Sequence, residues 1–233
     1  MLLPLNSGSI VGSFIVAAAL LAASTTFGNS SEPLRGDLVF DVLRDGVPVG
    51  HHKVIYSYDV DGLKVDTVFE LKIELFSYLL YFLDYSSQSH WRDGKLLRLN
   101  ARTDDNGTVG YVRVERQNDF LKIKGPNGTK IVRGNLIPTN HWNVAVTKSD
   151  RVLNTITGRV NAVRMMDLGS EYLIAEGRTV EARRWAYTGD LQNEVWYDQD
   201  GNWVKMRFDG KDGSTIEYVC RRCLGRTGRA PMR

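Results

Sequence analysis

The chain has 233 residues, 42% of them apolar and 10% aromatic, enough for one sizeable core and unlike a disordered chain or a coiled coil. The formal net charge of +3 is unevenly spread: Arg221, Arg222, Arg226, Arg229 and Arg233 all fall at the C-terminal end, with no acid among them. Without these arginines, 25 basic side chains face 27 acidic ones, so the body is near neutral and lacks the clustered positive charge of a nucleic-acid-binding face.

No side chain from Met1 to Ser31 is charged, and Ile10–Ala23 is an apolar run of 14 residues. That length suits the core of a signal peptide, whereas a membrane-spanning helix needs about 20 residues. Residues 1–28 are therefore read as a signal peptide and residues 29–36 as a linker. An uncleaved N-terminal anchor is the alternative, because the segment before the apolar run holds no Lys or Arg. The expected location is outside the cytoplasm, in a bacterial periplasm. No cysteine precedes Cys220, which excludes a lipid-modified cysteine near the cleavage point.

The next residues, 37–219, are expected to form one all-β domain. Asx-Gly pairs punctuate the stretch, among them Asp45-Gly46, Asp61-Gly62, Asp93-Gly94, Asn106-Gly107, Asn127-Gly128 and Asp200-Gly201. Such pairs accept the positive φ that tight hairpin turns demand. Between them the chain alternates. From Leu63 to Leu75, Leu63, Val65, Thr67, Phe69, Leu71, Ile73 and Leu75 share one face while Lys64, Asp66, Glu70, Lys72 and Glu74 share the other. Strands are predicted near 38–43, 49–58, 63–75, 81–91, 96–103, 109–115 and 120–124. Past Pro138 they are predicted near 160–167, 172–175, 179–188, 191–197, 203–208 and 215–219. The only helix expected is a short one near 140–152. A single antiparallel meander of this length must curl, so a strongly curved sheet or an open barrel or roll is expected.

Two stretches echo one another. His90–Tyr111 and Val195–Tyr218 each carry a Trp at a strand end, an Asx-Gly turn, a strand, a second Asx-Gly turn and a strand with a Tyr. Both are read as three-stranded meanders with aromatic cross-strand anchors, rather than as a repeated catalytic element. Together with "GVPVGHHKV" and "IPTNHWN", these stretches make residues 38–219 resemble an uncharacterised family of exported proteobacterial proteins, classed as a domain of unknown function. The resemblance implies an all-β fold and an envelope location. It brings no assigned catalytic residues.

Candidate sites are few. Thr139, Asn140, His141, Trp142 and Asn143 gather polar groups beside an indole on a loop, an arrangement suited to ligand or partner binding; the competing reading is a connection whose side chains satisfy loop backbone. Leu75–Leu83, with Phe76, Tyr78, Leu80 and Phe82, is apolar on both faces, which suits core burial or, alternatively, a ligand or partner surface. His51 and His52 should point to opposite faces of a strand and are read as part of a solvated hairpin arm. Cys220 and Cys223 would pair as a disulfide in an oxidising compartment; a zinc site would need two further ligands. Residues 220–233 are read as a basic flexible tail that contacts an anionic membrane surface peripherally or stays solvated. No GxSxG, HExxH, Walker or GxGxxG motif occurs, and no cofactor or metal is called for. The expected role is non-enzymatic: binding of an apolar or amphipathic ligand, or of an envelope protein, through the curved sheet. A hydrolase with a site near His141 and a structural or assembly factor of the envelope remain the alternatives.

Overall fold

A computed structural model describes residues 36–225, Ser77 excepted. The signal-peptide and linker assignments through residue 35, and the tail beyond residue 225, lie outside the described residues. Among the described residues, fifteen strands form one sheet. The first eight are β1 (Leu38–Arg44), β2 (Val47–Asp59), β3 (Gly62–Leu75), β4 (Tyr78–Arg92), β5 (Lys95–Asp105), β6 (Thr108–Gln117), β7 (Phe120–Gly125) and β8 (Gly128–Arg133). The rest are β9 (Ile137–Pro138), β10 (Arg151–Leu153), β11 (Val160–Ala175), β12 (Arg178–Gly189), β13 (Asn193–Asp198), β14 (Trp203–Asp209) and β15 (Thr215–Arg222). The one helical segment among the described residues is a 3-10 turn at Val144–Lys148, capped by the Asn143 side chain.

Local chemistry explains the hairpins. Asp45-Gly46, Asp93-Gly94 and Asn106-Gly107 each have positive φ at both residues, the geometry that matches the twist of the flanking strands. Glu176-Gly177 does the same between β11 and β12. Both echoing stretches are three-stranded meanders, β4–β5–β6 and β13–β14–β15, as their turn spacing implied. Their tryptophans differ in setting. Trp91 packs edge-on against Trp142 inside, whereas Trp196 lies beneath the cations of Arg184 and Lys205.

The strand order is not one uninterrupted meander. Going outward from the centre, β1 to β8 follow one another to one edge; β9 then begins at the opposite edge, and β10 to β15 return until β15 pairs with β1. Fifteen strands about 4.8 Å apart would be roughly 65 Å wide if flat. Yet β8 and β9, the two edges, are joined through residues 134–136, a link that reaches at most about 14 Å. The sheet must therefore curl until its edges approach each other. Asn135 fastens the link, accepting hydrogen bonds from the Leu96 amide and Arg116 and donating to the Gly94 carbonyl. The interior so formed holds the core: Leu38, Phe40, Val42, Val54, Val65, Leu99, Val112, Trp203 and their neighbours.

Two expectations are corrected here. The domain does not stop at residue 219: β15 runs to Arg222, Cys220 and Cys223 are buried and Leu224 packs on the core, so the start of the expected flexible tail is part of the sheet. Its pairing with β1 supplies ladder hydrogen bonds that composition does not reveal. His52 is not on a solvated arm. Its strand is central, and it shares the inward parity of Val54 and Tyr56.

Candidate functional site

The loop singled out in the sequence turns inward. After β9, the Thr139 amide bonds to the Leu153 carbonyl, and the chain enters the interior as a plug. Asn140 is its pin. Its carbonyl oxygen accepts from the Tyr85 and Thr155 hydroxyls at 3.1 and 3.3 Å, and its amide nitrogen reaches the Ser87 and Thr67 hydroxyls at 3.2 and 3.5 Å. Four strand or loop hydroxyls thus saturate the two donors and two acceptors of one amide. His141 follows with φ +60, a left-handed turn that aims its ring across the interior. Its carbonyl accepts from the Tyr197 hydroxyl at 2.7 Å, and its Nδ1 lies 3.4 Å from the Tyr187 hydroxyl. Trp142 wedges edge-on against Tyr56 and Trp91. Asn140, His141 and Trp142 are buried; Thr139 and Asn143 are partly so, and Asn143 serves as the 3-10 cap.

Sequence reasoning missed the aromatic box beside this plug. His52 sits among Phe40, Phe69, Trp203 and Tyr218, with ring centroids 5.2–6.5 Å away. Neither His52 ring nitrogen has a hydrogen-bond partner among the described residues. Burial pushes its pKa down to about 3, with the nearby His141 and His51 adding to the effect. Burial alone holds His141 at about 4. Both imidazoles are therefore neutral at physiological pH. The available signal was parity: His52 alternates in step with Val54 and Tyr56, and that outweighs the polarity of a histidine pair.

The second candidate stretch goes to a different place. β3 and β4 run past the last residues they pair with on β2 and β5, beyond Leu71 and Leu83, and form a projecting finger. At its tip Phe76 is 88% exposed, Tyr78 76%, Leu79 52% and Leu80 56%. This reverses the expectation of core burial for the tip: among the described residues no third strand lies beside it, whereas Tyr81 and Leu83 nearer the base still pack against the core. Phe82 is half-buried nearer the base. Phe76 has φ +48, costly for a bulky side chain, and a bulge between Ile73 and Glu74 twists the tip. Near the base, Asp84, Asp104 and Asp105 outnumber Lys72 and Arg102, which is already paired to Asp104; Glu74, opposite Leu79, lies nearer the tip. Tyr81 is pushed up to about 12 by burial and then by its hydrogen bond to Asp105. Tyr85, part of the Asn140 network, lies seven residues along β4 from Tyr78, roughly 23 Å of strand. Plug and finger are thus separate features.

At the other end of the barrel-like body, Cys220 and Cys223 form a disulfide. The Glu176 carboxylate, from the β11–β12 turn, accepts from the Cys223 and Leu224 amides at 2.7 and 2.9 Å.

The model of a family described as a domain of unknown function, DUF6134, matches residues 40–221. The chain belongs to that family. Among solved structures, this DUF6134 chain is similar to a beta-barrel-like protein of the domain of unknown function DUF1849 from Brucella abortus. The TM-score is 0.59 at 10% identity, covering 81% of this chain and 96% of that one. At that identity the likeness concerns the fold, and it agrees with the curled, unclosed sheet seen here. No curated protein matches the DUF6134 chain.

Proposed function

We propose that this protein is an exported, non-catalytic component of the bacterial envelope that engages a protein partner through the β3–β4 finger. The observation that carries the reading is the finger itself: four large apolar side chains, each more than half exposed, on one hairpin that projects beyond its neighbours. Exposed apolar clusters of this kind mark interaction sites. A bulky residue held at positive φ at the tip points the same way, since such strain persists at sites where it serves binding. The acidic base selects the partner's chemistry, an apolar groove with a basic rim, and disfavours an anionic lipid surface. The uncharged apolar N-terminal run and the paired cysteines support export to an oxidising compartment. His141, on which a hydrolase would depend, is buried and engaged by two tyrosines, which supports a non-catalytic role.

Site-specific photocrosslinking from position 78 in the native host tests this. The expected result is one discrete protein adduct, lost in the Phe76→Ser/Leu80→Ser variant while that variant keeps its melting temperature. Adducts only to lipid, or adducts that survive the double substitution, would overturn the reading.

A further inference from the structure

Cys220, Cys223 and Glu176 converge where β15 ends. Their two sulfurs and a carboxylate oxygen all lie within 4.8 Å of one another, with both cysteines buried. Glu176 comes from a hairpin 47 residues away in the chain from Cys223. Its own amide points at the Cys220 carbonyl, so the approach is two-sided. One carboxylate oxygen, Oε1, is held by the Cys223 and Leu224 amides; the other, Oε2, is held among the described residues by the exposed Arg178, at 3.0 Å. That second oxygen is the one that can be given up.

We propose that, once the disulfide is reduced, Cys220, Cys223 and Glu176 bind a single soft divalent cation of the zinc type. A dithiol reductant supplies two electrons and two protons, the S–S bond breaks and two thiols form. The cation then displaces the two thiol protons to solvent and gains two sulfur bonds of about 2.3 Å and one oxygen bond of about 2.0–2.2 Å, with water at the fourth position. Once the disulfide is reduced, the two sulfurs must separate to about 3.7 Å, while the carboxylate oxygen, no more than 4.8 Å from them, must close by about an ångström. Cys-x2-Cys is the spacing of structural zinc sites, and the fold adds the third ligand that the sequence does not show. The disulfide lies within the end of β15, and hydrogen bonds of Glu176 tie that end to the β11–β12 hairpin; the cation would add a direct bond between the two. The site goes beyond the partner reading: that reading takes the oxidised pair as support for export, whereas the cation binds only where a reductant reaches the protein.

The test uses the full chain, either left oxidised or reduced with a phosphine, titrated with Co2+ and then Zn2+. The reduced protein is expected to take one equivalent of Co2+ with a sulfur-to-cobalt charge-transfer band that Zn2+ abolishes. The oxidised protein and Cys220→Ser/Cys223→Ser should show none. Glu176→Gln should weaken Zn2+ binding tenfold or more. X-ray absorption at the zinc edge of the reduced wild type needs no variant: two sulfurs with oxygen ligands support the site. No charge-transfer band on reduction, equal binding by the oxidised chain, unchanged affinity in Glu176→Gln, or four sulfurs drawn from two chains would each overturn it.

Discussion

His52 is the residue whose chemistry least matches its surroundings. An imidazole with two unpartnered nitrogens inside a ring of aromatics costs about 1–3 kcal/mol relative to a group with no hydrogen bonds to lose. His52→Phe should therefore stabilise the protein by about 1 kcal/mol or more, roughly 2–4 °C in Tm. The pH dependence has a definite sign. Depressed pKa values in the folded state mean that the unfolded chain binds more protons below about 6.5, so this part of the stability is intact above that pH. It is lost as pH falls towards the folded values, about 4 for His141 and about 3 for His52. Melting curves at pH 7 and pH 5 should thus show a smaller drop in His52→Phe than in the wild type. An equal drop in both proteins would rule out His52 as a source of the acid sensitivity.

Two hairpins overrun the sheet, and they meet different fates. The β3–β4 finger ends in solvent, whereas the β11–β12 hairpin, bulged between Asp167 and Ser170, reaches the end of β15 and buries Ala175 there. What separates them is Glu176. Its carboxylate gives the Cys223 and Leu224 amides the acceptor they would otherwise lack. Its pKa is lowered: burial works against ionisation, but these amide bonds and Arg178 outweigh it. In the oxidised protein, Glu176→Ala should raise hydrogen exchange at residues 174–178 and 223–224 about tenfold, as expected for local loss of more than 1 kcal/mol. Exchange that stays at wild-type levels would show that the turn is held by packing alone.

At the scale of the molecule, curling depends on close strand approach as much as on the β8–β9 link. A Cβ at Gly50, within β2, would come 1.9 Å from the Glu70 carbonyl oxygen, a backbone atom that cannot swing aside. Gly50→Ala should cost roughly 3 kcal/mol or more, read as a lower urea midpoint with unchanged slope. A variant as stable as the wild type would mean that β2 and β3 can separate there without disturbing the curl.

The strands, the turns and the all-β character were legible in the sequence because they are local properties. Period-two alternation in Leu63–Leu75 and positive-φ pairs such as Asn106-Gly107 act over a few residues, and the structure places them where their spacing implied. β8, β9 and β10 were missed because they are short or carry little alternation. The pairing of β1 with β15 and the inward turn of Asn140 and His141 join residues about 50 to 180 positions apart, and the jump from β8 to β9 sends chain neighbours to opposite edges of the sheet. Only the curling of the sheet selects those partners. The same curling decides burial. Polar His52 lies inside and apolar Phe76 outside, because exposure depends on whether a neighbouring strand or plug covers a position, and no residue's own chemistry encodes that.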